Sequence, residues 1–263
     1  MLAGLEGFIH YAQHNQRLSL HTCKAYQTDL QQFIPFANDF GISTWTELNS
    51  ASVRAFMASC MKDGLSARSV HRKVSSLRAF VRYARKTHLL SHDPLIGIQL
   101  PKMAKKLVQD IPAQDLWNLF QHFPWEEQPQ GLRDKALLLT LYTTGIRLSE
   151  LISLNTRDID FSRNTLSVTG KRNKVRLLPM HPELRDYLME IKVGKSAGDP
   201  LFQLETGKPL YPVFVYRLVN QYIKLFSDAS KTSPHVLRHS FATHMLNNGA
   251  ELLAIKDLKD TVG

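Results

Sequence analysis

Three short segments concentrate side chains able to handle an oxyanion. They are Thr144-Gly145-Ile146-Arg147-Leu148-Ser149-Glu150-Leu151, the turn Gly170-Lys171-Arg172-Asn173, and Ser233-Pro234-His235-Val236-Leu237-Arg238-His239-Ser240-Phe241-Ala242-Thr243-His244. Arg147 follows a glycine where a helix should start, a place where outward-pointing backbone amides also favour an anion. His235 and Arg238 stand three apart and share one face of a helix. Two guanidinium forks, a lysine on a turn and a histidine are the groups expected around a phosphate diester. The forks hold non-bridging oxygens, and a lysine can protonate a departing alkoxide. Spacing alone does not bring the three segments together. Lys174 could take the acid role in place of Lys171, and His239 and His244 read as structural. His10 and His14 stand four apart without a third ligand, so they read as surface residues and no metal site is expected.

The elements that must position these residues fall into two halves. Residues 1–92 read as helices divided by short polar breaks: one over 19–36 capped by Ser19, and one running from a Ser50 cap through Cys60. After the Asp63-Gly64 turn comes the most legible helix, Ser66 to His88. Val70, Val74, Leu77, Val81 and Ala84 recur at helical spacing and form one apolar stripe. Arg68, Arg72, Arg82 and Lys86 project from the opposite side, flanked by Arg78 and Arg85, and no acidic residue lies between Gly64 and Ser91. Such a face is either simply solvated or neutralised by a polyanion, which makes these six residues candidate DNA contacts. Pro101, Lys102, Lys105-Lys106 and Pro112 bracket a stretch of little periodicity, so 100–110 reads as a linker between domains at 1–99 and 111–263. Helical patterns follow at 113–122, 132–143, 148–154, 182–192, from about 213 through 226, and 234–247. Between them, 158–161, 165–168 and 174–179 alternate like short strands around turns at Ser162-Arg163-Asn164 and Gly170-Lys171-Arg172-Asn173. The fold class expected is mainly α with a small β-meander, the second domain being α+β.

Composition narrows the classes. In 263 residues, 43% are hydrophobic and 21% charged, a globular mix that excludes fibrous and disordered chains. No apolar run reaches the length of a membrane span, and the N-terminus has no basic segment leading into a long apolar core, so neither a membrane anchor nor a secretory signal is expected. Two cysteines are too few for a disulfide scaffold or a cysteine zinc site, which points to a reducing compartment. The formal charge is +10, and the first 110 residues hold 14 of the 33 basic residues but only 7 of the 23 acidic ones. A polyanionic partner, above all nucleic acid, fits that imbalance.

The three segments together resemble the boxes of the tyrosine recombinases, the phage-integrase family, and most of all its Xer branch. T-G-I-R-L-S-E-L, G-K-R-N-K-V-R-L-L-P and P-H-V-L-R-H-S-F-A-T-H occur in the family's order, and the N-terminal helices resemble its SAM-like core-binding domain. The resemblance implies a two-domain, C-shaped clamp on double-stranded DNA that performs site-specific recombination. Arg147 and Arg238 resemble the phosphate-binding arginines, Lys171 the hairpin general acid toward the 5′-oxygen, and His235 the acid/base histidine of H-x-x-R. Glu150 resembles the acidic residue that orients the cluster. A tyrosine hydroxyl forms a 3′-phosphotyrosyl link in this family, and no metal or nucleotide cofactor is implied. A homo- or hetero-tetramer on paired sites, in a cytoplasmic, nucleoid-associated setting, is implied as well.

The resemblance stops short of the family's last elements. Counting from His235, the histidine of the Gly-His turn falls at Thr261, and no tyrosine follows the third segment. Tyr142, Tyr187, Tyr211, Tyr216 and Tyr222 all precede it and match no nucleophile. Two expectations stand side by side: a truncated or altered form of an active enzyme, its tetramer weakened without the C-terminal helix, or a non-catalytic DNA-binding or regulatory protein of the same fold. The same boxes serve resolution of chromosome dimers and integration of mobile elements, and both remain open here, as does a strand-relaxing topoisomerase.

Overall fold

The computed structural model describes residues 1–103, 110–170 and 174–251. They form two compact units, divided between Lys106 and Leu107.

The first unit is helical: α1 (Leu2–His14), α2 (Leu20–Asp39), α3 (Ser50–Lys62) and α4 (Ala67–Lys86). The caps are local chemistry. Ser19 accepts from the Thr22 N–H and Ser66 from the Ser69 N–H, satisfying donors that a helix start leaves unpaired. For α3 the cap is Asn49, not the expected Ser50. Its carboxamide oxygen reaches the N–H groups of both Ala51 and Ser52, which leaves Ser50 as the first helical residue. Helix α2 also runs three residues beyond the expected Phe36, to Asp39. Val70, Val74, Leu77, Val81 and Ala84 are all buried, and pack α4 with Phe8, Phe33, Trp45, Leu48 and Phe80 in one core.

Of the basic residues on α4, Arg68, Arg72, Arg82, Arg85 and Lys86 are exposed and Arg78 is half-buried. The helix supplies no acidic partner of its own, but the fold supplies two. Asp29 of α2 pairs with Arg72 at 2.7 Å, and Asp93 lies 3.6 Å from Arg85. Arg68, Arg78 and Arg82 have no ion pair among the described residues. Asp29 is buried and also faces buried Lys73 at 3.7 Å, while accepting from the Ser76 hydroxyl. Beyond α4, Leu95, Ile98 and Leu100 pack on the same core, and the Pro101 carbonyl bonds the His71 ring at 2.8 Å. Residues 104–109 of the expected linker lie outside the described residues.

The second unit contains α5 (Ala113–His122), α6 (Gly131–Thr144), α7 (Leu148–Ser153), α8 (Pro182–Lys192), α9 (Pro212–Ile223) and α10 (Pro234–Asn247). Helix α6 is buried nearly all round through Leu137, Leu138, Leu139 and Leu141, as befits a central helix without a polar face. Strands β1 (Ile159–Asp160), β2 (Thr165–Thr169) and β3 (Val175–Pro179) form an antiparallel sheet in sequence order. The expected meander is therefore present, and the chain is mainly helical as expected. Register pairs Leu166 with Leu178 and Val168 with Arg176. Along β3, Val175 and Leu177 face solvent while Leu178 is buried, so the period-2 alternation turns Arg176 to the inner face. Ile111 joins this core, and its N–H donates to the Ser240 hydroxyl at 2.8 Å. No described helix is long and apolar enough to cross a membrane.

Asp29→Ala should destabilise the first unit by about 3–5 kcal/mol, because Lys73 would be left buried without its counter-charge. Arg72→Ala, at a half-exposed position, should cost far less. Urea unfolding of the two variants measures the difference.

Candidate active site

Helix α6 ends at Thr144, and Gly145 turns the chain with φ +59°, in the left-handed region. A Cβ at that position would stand 2.5 Å from the Phe241 ring, so glycine also permits the close approach of α10. Arg147 then caps α7. Its backbone N–H donates to Glu150 Oε2 at 2.9 Å and its Nη1 donates to Oε1 at 3.0 Å. From α10, Arg238 Nη1 donates to the Gly145 carbonyl. Arg238 and Phe241 sit one helical turn apart, so the same face of α10 holds the α6–α7 corner twice.

A third guanidinium arrives from the sheet. Arg176 Nη1 donates to Glu150 Oε1 at 3.0 Å and its Nη2 donates to Oε2 at 2.7 Å, a two-pronged contact. Arg147, Arg176 and Arg238 thus gather around one buried carboxylate. The sequence reading placed Arg176 in a strand without assigning it a role. Its signal was a charged residue at the inward position of a strand that alternates with Val175 and Leu177.

His235 is the second residue of α10, exposed, and one turn before Arg238. Lys171 lies outside the described residues, with Arg172 and Asn173. The stem of its turn is described: Thr169 pairs with Val175, and the Gly170 N–H donates to the Lys174 carbonyl at 2.8 Å. A Cβ on Gly170 would stand 3.1 Å from Arg176 Nη1 and 3.7 Å from Glu150 Oε1, so the stem abuts the cluster. Arg147, Glu150 and Arg238 therefore come together at the α6–α7 corner, and His235 shares α10 with Arg238.

The electrostatics follow from crowding. Burial alone would raise the Glu150 carboxyl, but hydrogen bonds from Arg176 and from the Arg147 N–H, with the Arg176 charge, hold it below the usual carboxylate range. Arg238 is pushed down to about 10 by burial and by the charges of Arg147 and Arg176, against the opposing pull of Glu150. It stays protonated at neutral pH. Among the described residues, three guanidiniums and one carboxylate share this partly buried place, a setting whose field favours an oxyanion.

Three of the described tyrosines, Tyr222, Tyr142 and Tyr187, are engaged elsewhere. Tyr222 donates to Asp134 at 2.9 Å, and burial together with the Asp134 charge pushes its hydroxyl well above the ordinary range. Tyr142 bonds His244 Nδ1 at 2.9 Å, and His244 Nε2 lies 3.6 Å from Asp110, a chain of contacts that ties α6 and α10 to the start of the unit. Tyr187 lies under the Lys135 ammonium. The His10 and His14 rings lie 4.3 Å apart on α1, and among the described residues no third ligand joins them.

A helical unit is thus followed by an α+β unit in which Arg147 and Arg176 bond one buried carboxylate and Arg238 stands beside them. The profile of the phage integrase family matches residues 110–260, and that of the phage integrase N-terminal SAM-like domain matches residues 5–88. A tyrosine recombinase XerC of Chlorobaculum parvum is 32% identical over 97% of this chain and 85% of its own length. A tyrosine recombinase XerD of Listeria monocytogenes is 34% identical over 97% and 88%. Among solved structures, the Tn1549 transposon integrase in complex with circular intermediate DNA superposes with a TM-score of 0.79 at 18% identity, covering 99% of this chain and 92% of that one. The XerH site-specific recombinase bound to difH substrate gives 0.71 at 18% identity, covering 98% and 77%. These structures share the fold; sequence carries the kinship. The chain belongs to the phage integrase family of tyrosine recombinases, with relatives named both XerC and XerD.

The folded chain holds the Glu150 proton more weakly than the unfolded chain does. Its ionised form therefore contributes stability that is complete above about pH 5 and is lost as pH falls through the depressed value. Compared with Glu150→Gln, the wild type should hold a constant stability difference from about pH 6 to 8 and lose stability relative to the variant below about pH 4. Urea titrations across that range measure it.

Proposed function

We propose that this chain is a site-specific tyrosine recombinase that closes on duplex DNA and grips one backbone phosphate with Arg147 and Arg238. The observation that carries the reading is the meeting of those two arginines at the α6–α7 corner, Arg147 on Glu150 and Arg238 on the Gly145 carbonyl, inside a phage-integrase domain. In this reading the two guanidiniums take the non-bridging oxygens and neutralise charge as it builds on phosphorus. Glu150 orients Arg147, Lys171 protonates the departing 5′-oxygen, and His235 assists as an acid/base group. In this family a tyrosine hydroxyl attacks phosphorus, leaving a 3′-phosphotyrosyl link and a free 5′-hydroxyl; no tyrosine of this sequence matches that nucleophile, so the roles assigned to these residues are phosphate binding and leaving-group protonation. The link keeps a high-energy ester for rejoining, and the cationic side chains supply charge that a metal ion supplies in other phosphoryl-transfer sites.

The basic helix belongs to the same reading. Arg68, Arg72, Arg82 and Lys86 project from one side of α4, flanked by Arg78 and Arg85, and these six residues meet the phosphates of the duplex. Assembly as a tetramer on paired sites and a place in the cytoplasm on the nucleoid follow from the family. The named relatives are recombinases, and two of the matching structures contain DNA, which supports duplex DNA as the partner.

Duplex affinity should fall linearly with salt on a log–log scale, because bound Lys and Arg release counterions from the phosphates. Arg82→Ala should weaken binding to all sequences alike and reduce the slope by about one. Fluorescence anisotropy between about 50 and 200 mM salt reads both. An affinity indifferent to salt in that range would overturn the proposal.

A further inference from the structure

The six basic residues of α4 are alike in charge but not in how they are held. Arg68, Arg78 and Arg82 have no ion pair among the described residues. Arg85 lies 3.6 Å from Asp93, and Lys86 donates to the exposed Tyr11 hydroxyl at 3.2 Å. Among the described residues, only Arg72 of the six bonds a buried carboxylate. Its Nη1 donates to Asp29 Oδ2 at 2.7 Å, where the Asp29 side chain is 1% exposed and that of Arg72 is 52% exposed. The carboxylate is itself fixed. Ser76, one turn after Arg72, donates its hydroxyl to the same Oδ2 at 2.7 Å, and the buried Lys73 ammonium lies 3.7 Å from Oδ1. Lys73 in turn donates to Gln32 on α2. Because Lys73 supplies Asp29 with a buried counter-charge, the effect of the Arg72 contact is chiefly on where the guanidinium stands.

A long side chain loses rotamer freedom when a ligand fixes it, and for Arg72 much of that loss is already incurred in folding. A guanidinium carries five N–H donors in one planar fork; Asp29 engages one nitrogen, and half of the side chain still reaches solvent, so donors remain for a ligand. Phosphate oxygens accept from many directions, and a mobile basic side chain serves them well. A base edge is read only by donors held in one plane at one spacing. Guanine offers the match, with O6 and N7 side by side in the major groove.

Resting on the reading that the basic face of α4 meets duplex phosphates, we infer that Arg72, alone of the six, also reads sequence: its braced fork meets O6 and N7 of one guanine in the major groove. Asp29 is the positioning residue, acting through Arg72 without touching DNA. The charge of Arg72 serves the backbone whatever the sequence; the orientation that Asp29 gives it distinguishes one base pair from another.

The test uses the full chain and a pool of duplexes with a randomised central segment, bound, recovered and sequenced. The wild type should enrich a motif with guanine at one position, favoured there about tenfold over the other bases. Arg72→Ala, at a half-exposed position, should lose that preference and keep the rest of the motif. Arg72→Lys keeps the charge but not the fork, and should lose the same preference at the same position. Asp29→Leu combined with Lys73→Met removes the brace together with its buried counter-charge, an exchange of a buried pair for apolar groups that need not unfold the unit. This double variant should weaken the preference at that position and at no other. A purely structural part for Asp29 would change affinity or melting, not the identity of one base. Thermal unfolding reports which variants fold, and if the double variant does not, the two Arg72 variants decide. Wild-type preference at that position in either Arg72 variant, or in a folded double variant, overturns the inference. So does a wild-type chain that binds the pool without enriching guanine at any position. A wild-type chain that binds no duplex overturns instead the reading on which the inference rests.

Discussion

Like charges repel, and at the candidate site two of them, Arg147 and Arg176, are held together by one carboxylate, with a third, Arg238, beside them on the Gly145 carbonyl. Glu150 is the common partner that permits Arg147 and Arg176 to approach each other, and its charge opposes the repulsion that lowers the affinity of Arg238 for its proton. The arrangement is stable because the opposite charges are in direct hydrogen-bonded contact, and it remains receptive because the positive charges outnumber the negative one. Crowding like charges in a partly buried place is costly, and an oxyanion bound there lowers that cost. Function and strain therefore have the same source.

The surrounding fold is understandable as the means of delivering those groups. Helix α6 is a central, fully packed rod whose end is a rigid reference point. Gly145 bends the chain sharply enough that Arg147 begins the next helix, and the same glycine lets Phe241 come close. Helix α10 contributes Arg238 one turn from its start, where His235 is also exposed. The sheet contributes Arg176 by alternation alone: shifting β3 by one residue would exchange Arg176 for an apolar neighbour and leave the guanidinium in water. The buried pair Leu166 and Leu178 holds that register.

The first unit shows a related device in a less demanding form. Asp29 is buried against Lys73 and also grips Arg72 at the surface. One carboxylate thus pairs with an internal lysine and one arginine of the basic face, while Arg68 and Arg82 are exposed with no ion pair among the described residues. In both units an acidic residue distant in sequence organises basic residues that local spacing alone leaves unpaired.

Much of this was legible beforehand. The Ser19 and Ser66 caps, the stripe from Val70 to Ala84, the helix over 113–122, the meander and the three motif segments all depend on neighbours a few residues away, and periodicity records such neighbours faithfully. The cap of α3 was misplaced by one residue because Asn and Ser stand side by side and both can cap; only backbone direction decides which one does. Asp29 and Arg72 are 43 residues apart, and Glu150 and Arg176 are 26 apart. No local pattern joins residues at such separations. Residue type and spacing thus determined the elements, the basic face and the three motif segments, but not the place of Arg176 beside Glu150. Tertiary structure decided which charges meet, because burial and register, set by the packing of whole helices and strands, choose the partner of each charged group.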